Sequence, residues 1–308
     1  MGGMPIRLIA SDMDGTLLDR SMRVDADASK AIRAARLDAG CSFIAVTGRS
    51  FGEAAPLLAD AGITCPMITM NGCELRDPDG EVLWGDYFDV ETAAAVIRAC
   101  CEAGVYAEAY TKSGVCTAST EGEILRAVMA KIRHFRPTYS EERVRRRAPV
   151  SPERSKLIRL GRPEDLGGFE PIGKIVLFWD EPDRLAELGP RLESRFPLRA
   201  ETSFPINMEM VPAGVSKGTA LSRYVRDEGI DPGSVMVLGD GMNDVPMFRG
   251  GFGLSVAMGN ADIVVKGAAD AVTDRNDRHG VARAVERFVL RGCMGASGPM
   301  RAAAPICG

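Results

Sequence analysis

Short apolar runs without alternation constrain this chain more than any other feature. Residues 7–10, 42–46 and 66–70 near the start and 234–238 near the end are almost continuously apolar. Between and around them lie amphipathic helical patterns over 27–39, 52–60, 217–228, 243–249 and 281–290. A strand that does not alternate is buried on both faces, and strands of that kind separated by helices belong to parallel sheets. The pattern therefore predicts an α/β fold, a doubly wound, Rossmann-like parallel-sheet core. Residues 253–257 and 262–265 read as further strands. The rhythm changes between about 81 and 204, where both tryptophans fall, with strand patterns at 82–88, 105–110, 174–179 and 198–201. We expect a core built from 1–80 and 205–291, an inserted α/β cap domain over 81–204, and a disordered Gly/Ala/Pro-rich tail at 292–308.

Bulk properties narrow the function classes. The 308 residues are 45% hydrophobic and 26% charged with a net charge of −4, ordinary for a globular protein. That balance gives no electrostatic reason to expect nucleic acid or an anionic membrane as partner. No apolar run approaches the ~18–20 residues a membrane span requires. The first residues lack the basic and apolar regions of a secretory signal. Eight cysteines form no C-x-x-C pair and only His134 and His279 accompany them, so buried thiols in a reducing cytoplasm are expected rather than a zinc site. The run Arg143, Arg145, Arg146, Arg147 reads as a solvated face.

The chemistry collects at strand ends. In an open parallel sheet the ligand crevice lies at the carboxyl ends of the strands. The first strand ends in Asp12-Met13-Asp14-Gly15-Thr16, two carboxylates two positions apart. Carboxylates that close must take up a proton or share a cation. The second ends in Thr47-Gly48-Arg49 and the third in Asn71-Gly72, the latter also a hairpin signal. A fourth apolar stretch, 206–211, leads to Ser216-Lys217-Gly218, with an ammonium at a helix start. A lysine there opposes the helix dipole, so an anion is expected to hold it. The strand at 234–238 delivers Gly239-Asp240-Gly241-Met242-Asn243-Asp244. Carboxylates for Mg²⁺, hydroxyl and amide donors and one cation make a set able to grip and transfer a phosphoryl group.

These segments, in this order, resemble the four motifs of the haloacid dehalogenase-like (HAD) phosphohydrolases, and most closely the Cof-type branch, whose α/β cap is inserted between the second and third motifs. Ala257-Met258-Gly259-Asn260-Ala261 and Asp277-Arg278-His279-Gly280 agree with it. The resemblance implies Asp12 as the nucleophile that forms an aspartyl-phosphate and Asp14 as the acid and base. It implies Lys217 as the charge-neutralising cation, and Thr47 and Asn243 as phosphate contacts; Gly48, Arg49 and Asn71 are further phosphate or substrate candidates by their place at the crevice. It implies Mg²⁺ as cofactor, held by Asp12, the backbone carbonyl of Asp14 and Asp240, with Asp244 in or around that shell. The expected activity is a phosphomonoesterase acting on a small phosphorylated metabolite, with sugar phosphates favoured. A sugar phosphomutase and a non-catalytic phosphometabolite sensor are the alternatives.

Overall fold

In the computed structural model, residues 4–202 and 204–291 are described. The expected disordered tail at 292–308 lies outside them. The first strand, Leu8–Ser11, is buried along its whole length. Ile9 points into one layer of helices, and Leu8 and Ala10 into the other. Each fully buried aliphatic side chain of this kind contributes about 1.5–3 kcal/mol. Two-sided burial is what an unalternating run demands, and it makes this strand the centre of the sheet.

Among the described residues that sheet has eight strands. Six are parallel, in the spatial order Ala271–Val272, Leu254–Ala257, Val235–Gly239, Leu8–Ser11, Ser42–Val46, Met67–Thr69. Glu74–Arg76 and Val82–Gly85 then add antiparallel at one edge. The helices Ala26–Asp38 and Gly280–Val285 cover one face. Lys217–Asp227 and Val245–Phe248 cover the other. This is the doubly wound α/β core.

A second sheet has the order Leu198–Glu201, Asn207–Pro212, Ile172–Phe178, Tyr106–Thr111, Gly114–Thr117, Ile158–Arg159. All its pairings are antiparallel except the last. Val90–Glu102 and Pro182–Arg195 pack on one face. Glu121–Phe135 covers part of the other. The uncovered remainder of that face looks onto the core. Gly173 allows the approach: a Cβ there would sit 2.4 Å from Met70 Sδ. Beside it the Cys73 thiol donates to the Gly173 carbonyl at 2.9 Å, and Phe88 N–H donates to Ile172 O at 2.9 Å.

Three local readings change. The apolar stretch at 206–211 does not end a core strand, because Asn207–Pro212 pairs with the second sheet. Residues 82–85 lie on the core sheet, where Trp84 faces Leu75 across the edge pairing. Residues 262–265 are not a strand but open the helix Ile263–Ala268 after Asp262. Short apolar runs fit either state, and here a helix presenting Val265 to the core wins. Among the described residues no helix is long and apolar enough to cross a membrane.

Candidate active site

The parallel register assembles the site. Ser11 is level with Leu238 on one side and Ala45 on the other, so the chain leaves all three strands at one edge. Asp12 N–H still bonds Leu238 O at 3.0 Å, which fixes its backbone beside Gly239 and Asp240. Gly15 then turns with φ +77°, and a Cβ at that position would stand 2.2 Å from Asp240 Oδ2. Only glycine lets the first loop pass that carboxylate.

Lys217 joins three elements. Ser216 caps the helix Lys217–Asp227 by accepting from Thr219 N–H. This leaves Lys217 at the first helical position and 1% exposed. Its Nζ donates to Asp12 Oδ1 and to Asp244 Oδ1, each at 2.7 Å. The anions that hold a lysine against the helix dipole are therefore the protein's own carboxylates. Burial opposes the Lys217 charge, but Asp12 and Asp244 more than offset it and raise its pKa above the usual lysine value. Asp244 is fully engaged, its Oδ2 accepting from the Asp240 and Gly241 N–H groups at 2.9 Å.

The carboxylates outnumber that ammonium. Burial raises the Asp12 pKa well above the ordinary range, partly countered by Lys217 and reinforced by Asp244 and Asp240. Asp240 is pushed up to about 7, first by burial and then by Asp244. Its two oxygens accept from Thr16 Oγ1 at 3.2 Å and Asn260 Nδ2 at 3.1 Å. One oxygen from each of Asp12, Asp240 and Asp244 lies within 4.8 Å of the others, a spacing that could hold a metal ion. An all-oxygen donor set with surplus negative charge suits a hard divalent cation such as Mg²⁺.

The neighbouring loop brings the remaining predicted residues. Thr47 is fully buried, and its hydroxyl accepts from Arg49 N–H at 3.1 Å. The Arg49 guanidinium makes a two-pronged pair with Asp14, both contacts 2.7 Å, at a half-exposed Asp14. Asn71, with φ +59°, stands against Gly48, whose Cβ would lie 2.8 Å from Asn71 Oδ1. Asn243 Nδ2 donates to that same oxygen at 3.3 Å. The structure thus brings Asp12, Lys217, Asp240 and Asp244 into one cluster, Asp14 with Arg49 at its mouth, and Thr47, Gly48, Asn71 and Asn243 along one wall.

Sequence reasoning left several participants without a role. Asn260, quoted only as part of a motif, bridges Asp240 and the Gly15 carbonyl. From the second sheet, Lys174 reaches Gly48 O at 2.6 Å and Glu209 Oε2 at 2.7 Å. Glu209 in turn accepts from Asn71 Nδ2 at 2.8 Å. The available signal was a lone charge inside each of two apolar strands, Ile172–Phe178 and Asn207–Pro212.

A doubly wound core with acidic groups at its strand ends and a second sheet over them defines a capped α/β protein with an acidic crevice. The model of the haloacid dehalogenase-like hydrolases matches residues 9–285, and the chain belongs to that family. Phosphatase YwpJ of Bacillus subtilis is 29% identical over 92% of this chain and 100% of its own length. The pyridoxal phosphate phosphatase YbhA of Escherichia coli is 26% identical over 93% of this chain and 100% of its own. Among solved structures, a haloacid dehalogenase-like hydrolase from B. subtilis superposes with a TM-score of 0.78 at 29% identity, covering 92% of this chain and 100% of that one.

Proposed function

We propose that the protein is a Mg²⁺-dependent phosphomonoesterase that hydrolyses a small phosphorylated metabolite, preferentially a sugar phosphate, through an aspartyl-phosphate on Asp12. The observation that carries this reading is the buried Asp12–Lys217–Asp244 array with Asp240 alongside. A carboxylate is a weak nucleophile toward an anion, and a fixed ammonium at 2.7 Å offsets the repulsion. The relatives named as phosphatases support the reaction class.

Lys217 holds Asp12 Oδ1, which leaves Oδ2 to bond phosphorus as the ester oxygen departs. Asp14 gives that oxygen its proton, turning from Arg49, and then takes a proton from the water that attacks the aspartyl-phosphate. The bond between Asp12 and phosphorus breaks, inorganic phosphate leaves, and both carboxyl groups return to their starting states. Thr47 and Asn243 donate to the phosphoryl oxygens along the loop wall. Asp12, Asp240 and the Asp14 backbone carbonyl would hold Mg²⁺, ordered by Asp244, and the bound ion would neutralise charge developing on the phosphoryl oxygens. The second sheet covers the crevice and favours a small substrate over a macromolecular one. The buried thiols of Cys65, Cys73 and Cys100 fit a reducing cytoplasm.

Phosphate release from a panel of phosphorylated metabolites tests the reading. EDTA is expected to abolish it and Mg²⁺ to restore it, with Ca²⁺ a poor substitute because of its looser coordination. Undiminished turnover in chelator would reject the metal assignment.

A further inference from the structure

Glu74 is a buried carboxylate outside the catalytic cluster, and the reaction above does not use it. It opens the strand Glu74–Arg76 and is 3% exposed. Arg76 makes a two-pronged pair with it, Nε to Oε2 at 2.7 Å and Nη2 to Oε1 at 3.1 Å. Thr69 Oγ1 donates to Oε2 at 3.3 Å, and the Tyr87 hydroxyl to Oε1 at 3.0 Å. Burial, followed by the Glu74 charge, raises the Tyr87 pKa, so that hydroxyl stays a donor. The Arg76 pair alone would satisfy the charge of a carboxylate at a sheet edge. The other two contacts tie Glu74 to separate segments of the chain.

Those segments meet at the wall of the site. Thr69 ends its strand and leads into Met70, Asn71 and Gly72, whose φ angles are +49°, +59° and +107°. Left-handed backbone at residues other than glycine persists only where the surroundings fix it. This turn holds the phosphate loop: Asn71 N–H donates to Thr47 O at 3.0 Å and Met70 N–H to Arg49 O at 2.9 Å. Arg76 approaches the same loop, its guanidinium 5.4 Å from the centre of the Phe51 ring at the start of the next helix. Tyr87 lies between the core strand Val82–Gly85 and the cap helix Val90–Glu102. Its ring folds back over Gly85, where a Cβ would stand 2.2 Å from it. Next to it, Asp86 N–H donates to Cys73 O at 2.8 Å. The return from the cap closes on the same turn, since a Cβ on Gly72 would stand 2.4 Å from Ser216 O.

We propose that Glu74 is a positioning residue for the Thr47–Arg49 loop, locking the left-handed turn at Met70–Gly72 and anchoring the lead into the cap on the same carboxylate. The proposal rests on the phosphatase reading above. Among the described residues Glu74 makes no hydrogen bond or ion pair with Asp12, Lys217, Asp240 or Asp244, so it acts through its neighbours. With Thr69 and Tyr87 held, the Thr47 hydroxyl and the Arg49–Asp14 pair keep their places at the strand ends. A displaced loop loses its grip on every phosphomonoester alike, because the phosphoryl group is what such esters share.

The test measures kcat and KM for a hexose phosphate and p-nitrophenyl phosphate, and the inhibition constant of inorganic phosphate. It compares the native enzyme with Glu74→Ala, Glu74→Gln and Tyr87→Phe, and with Val285→Ala as a control. Val285 is buried in the helix Gly280–Val285 and makes none of these contacts, so its truncation lowers stability and leaves the network intact. Thermal melting sets an assay temperature at which the variants are folded. Glu74→Ala is expected to lower kcat/KM by about tenfold to a hundredfold, by the same factor on both esters, and to weaken phosphate inhibition. Glu74→Gln keeps an acceptor for Tyr87 without the charge that holds Arg76, and Tyr87→Phe removes one donor. Each is expected to show a smaller loss, about threefold or more, while Val285→Ala stays within about twofold. Unchanged constants in Glu74→Ala, an equal loss in Val285→Ala, or a loss confined to one ester would overturn the positioning role alone. If Glu74→Ala does not fold, native constants in both Glu74→Gln and Tyr87→Phe overturn it. A native enzyme that releases phosphate from neither ester would overturn the phosphatase reading, and this proposal with it.

Discussion

At the scale of residues, the site is a problem in buried charge. Lys217 donates to two buried carboxylates, and its charge partly counters the upward push that burial gives Asp12. Asp12→Asn is expected to fold, since it relieves crowding among Asp12, Asp240 and Asp244, and to lower kcat by about 10³-fold or more. Near-normal turnover would remove Asp12 from the chemistry. Asp244→Ala strips Lys217 of one partner and the Asp240 and Gly241 amides of their acceptor. Urea unfolding should register a loss of about 3–5 kcal/mol, the usual cost of breaking a buried pair from one side. Gly15→Ala forces a Cβ into Asp240 at positive φ. It is expected to cost about 1–3 kcal/mol and to raise the Mg²⁺ concentration needed for half-maximal activity. Unchanged stability and metal requirement would show that the loop can yield. Asp12 and Asp240 could be singled out in the sequence because each follows closely on an apolar run, and Lys217 because it opens a helix against the dipole. Glu209 and Lys174 were not, because the contacts that tie them to each other and to the core span 35 and more positions of the chain, and no local pattern announces a cross-strand ion pair.

Elements tell a similar story. The helix Ala26–Asp38 begins at Asp25, which accepts from Asp27 N–H, and ends before Gly40, where φ is +60°. The glycine at its end is of the kind that residue type announces. What was not readable is the clamp on its start: His279 Nδ1 lies 2.7 Å from Asp25 Oδ2 and 3.2 Å from Asp27 Oδ2. That contact joins the helix to Gly280–Val285, 254 residues away in sequence. The hydrogen bond to Asp25, followed by its charge, raises the His279 pKa above the usual histidine value. A raised histidine stabilises the fold fully below its unfolded pKa and loses that contribution as pH climbs through the folded one. The melting-temperature gap between the native protein and His279→Gln should therefore be larger near about pH 5.5 than near about pH 8.5. A gap that is constant across that range would mean that the contact carries no charge. The misread elements fail for a related reason. Residues 206–211 and 262–265 have the composition of core strands, and only their neighbours in space decide otherwise.

The whole molecule is a parallel-sheet base and an antiparallel cap, each with its own apolar clusters, meeting at a seam that is apolar around Met70 and Val211 and charged around Lys174 and Glu209. The base was legible because unalternating runs and helix patterns report two-sided burial directly. The cap was legible as an interruption but not as a set of faces, since part of one face of its sheet meets the core rather than its own helices. Under the proposed function the phosphate chemistry belongs to the base, where Asp12, Lys217, Asp240 and Asp244 cluster. The most direct measurement of the central claim is rapid acid quenching of the Mg²⁺-loaded enzyme with a radiolabelled phosphomonoester, followed by peptide mapping. Label is predicted on the peptide carrying Asp12 and absent from Asp12→Asn; turnover with no protein-bound label, or with label on another residue, would contradict it.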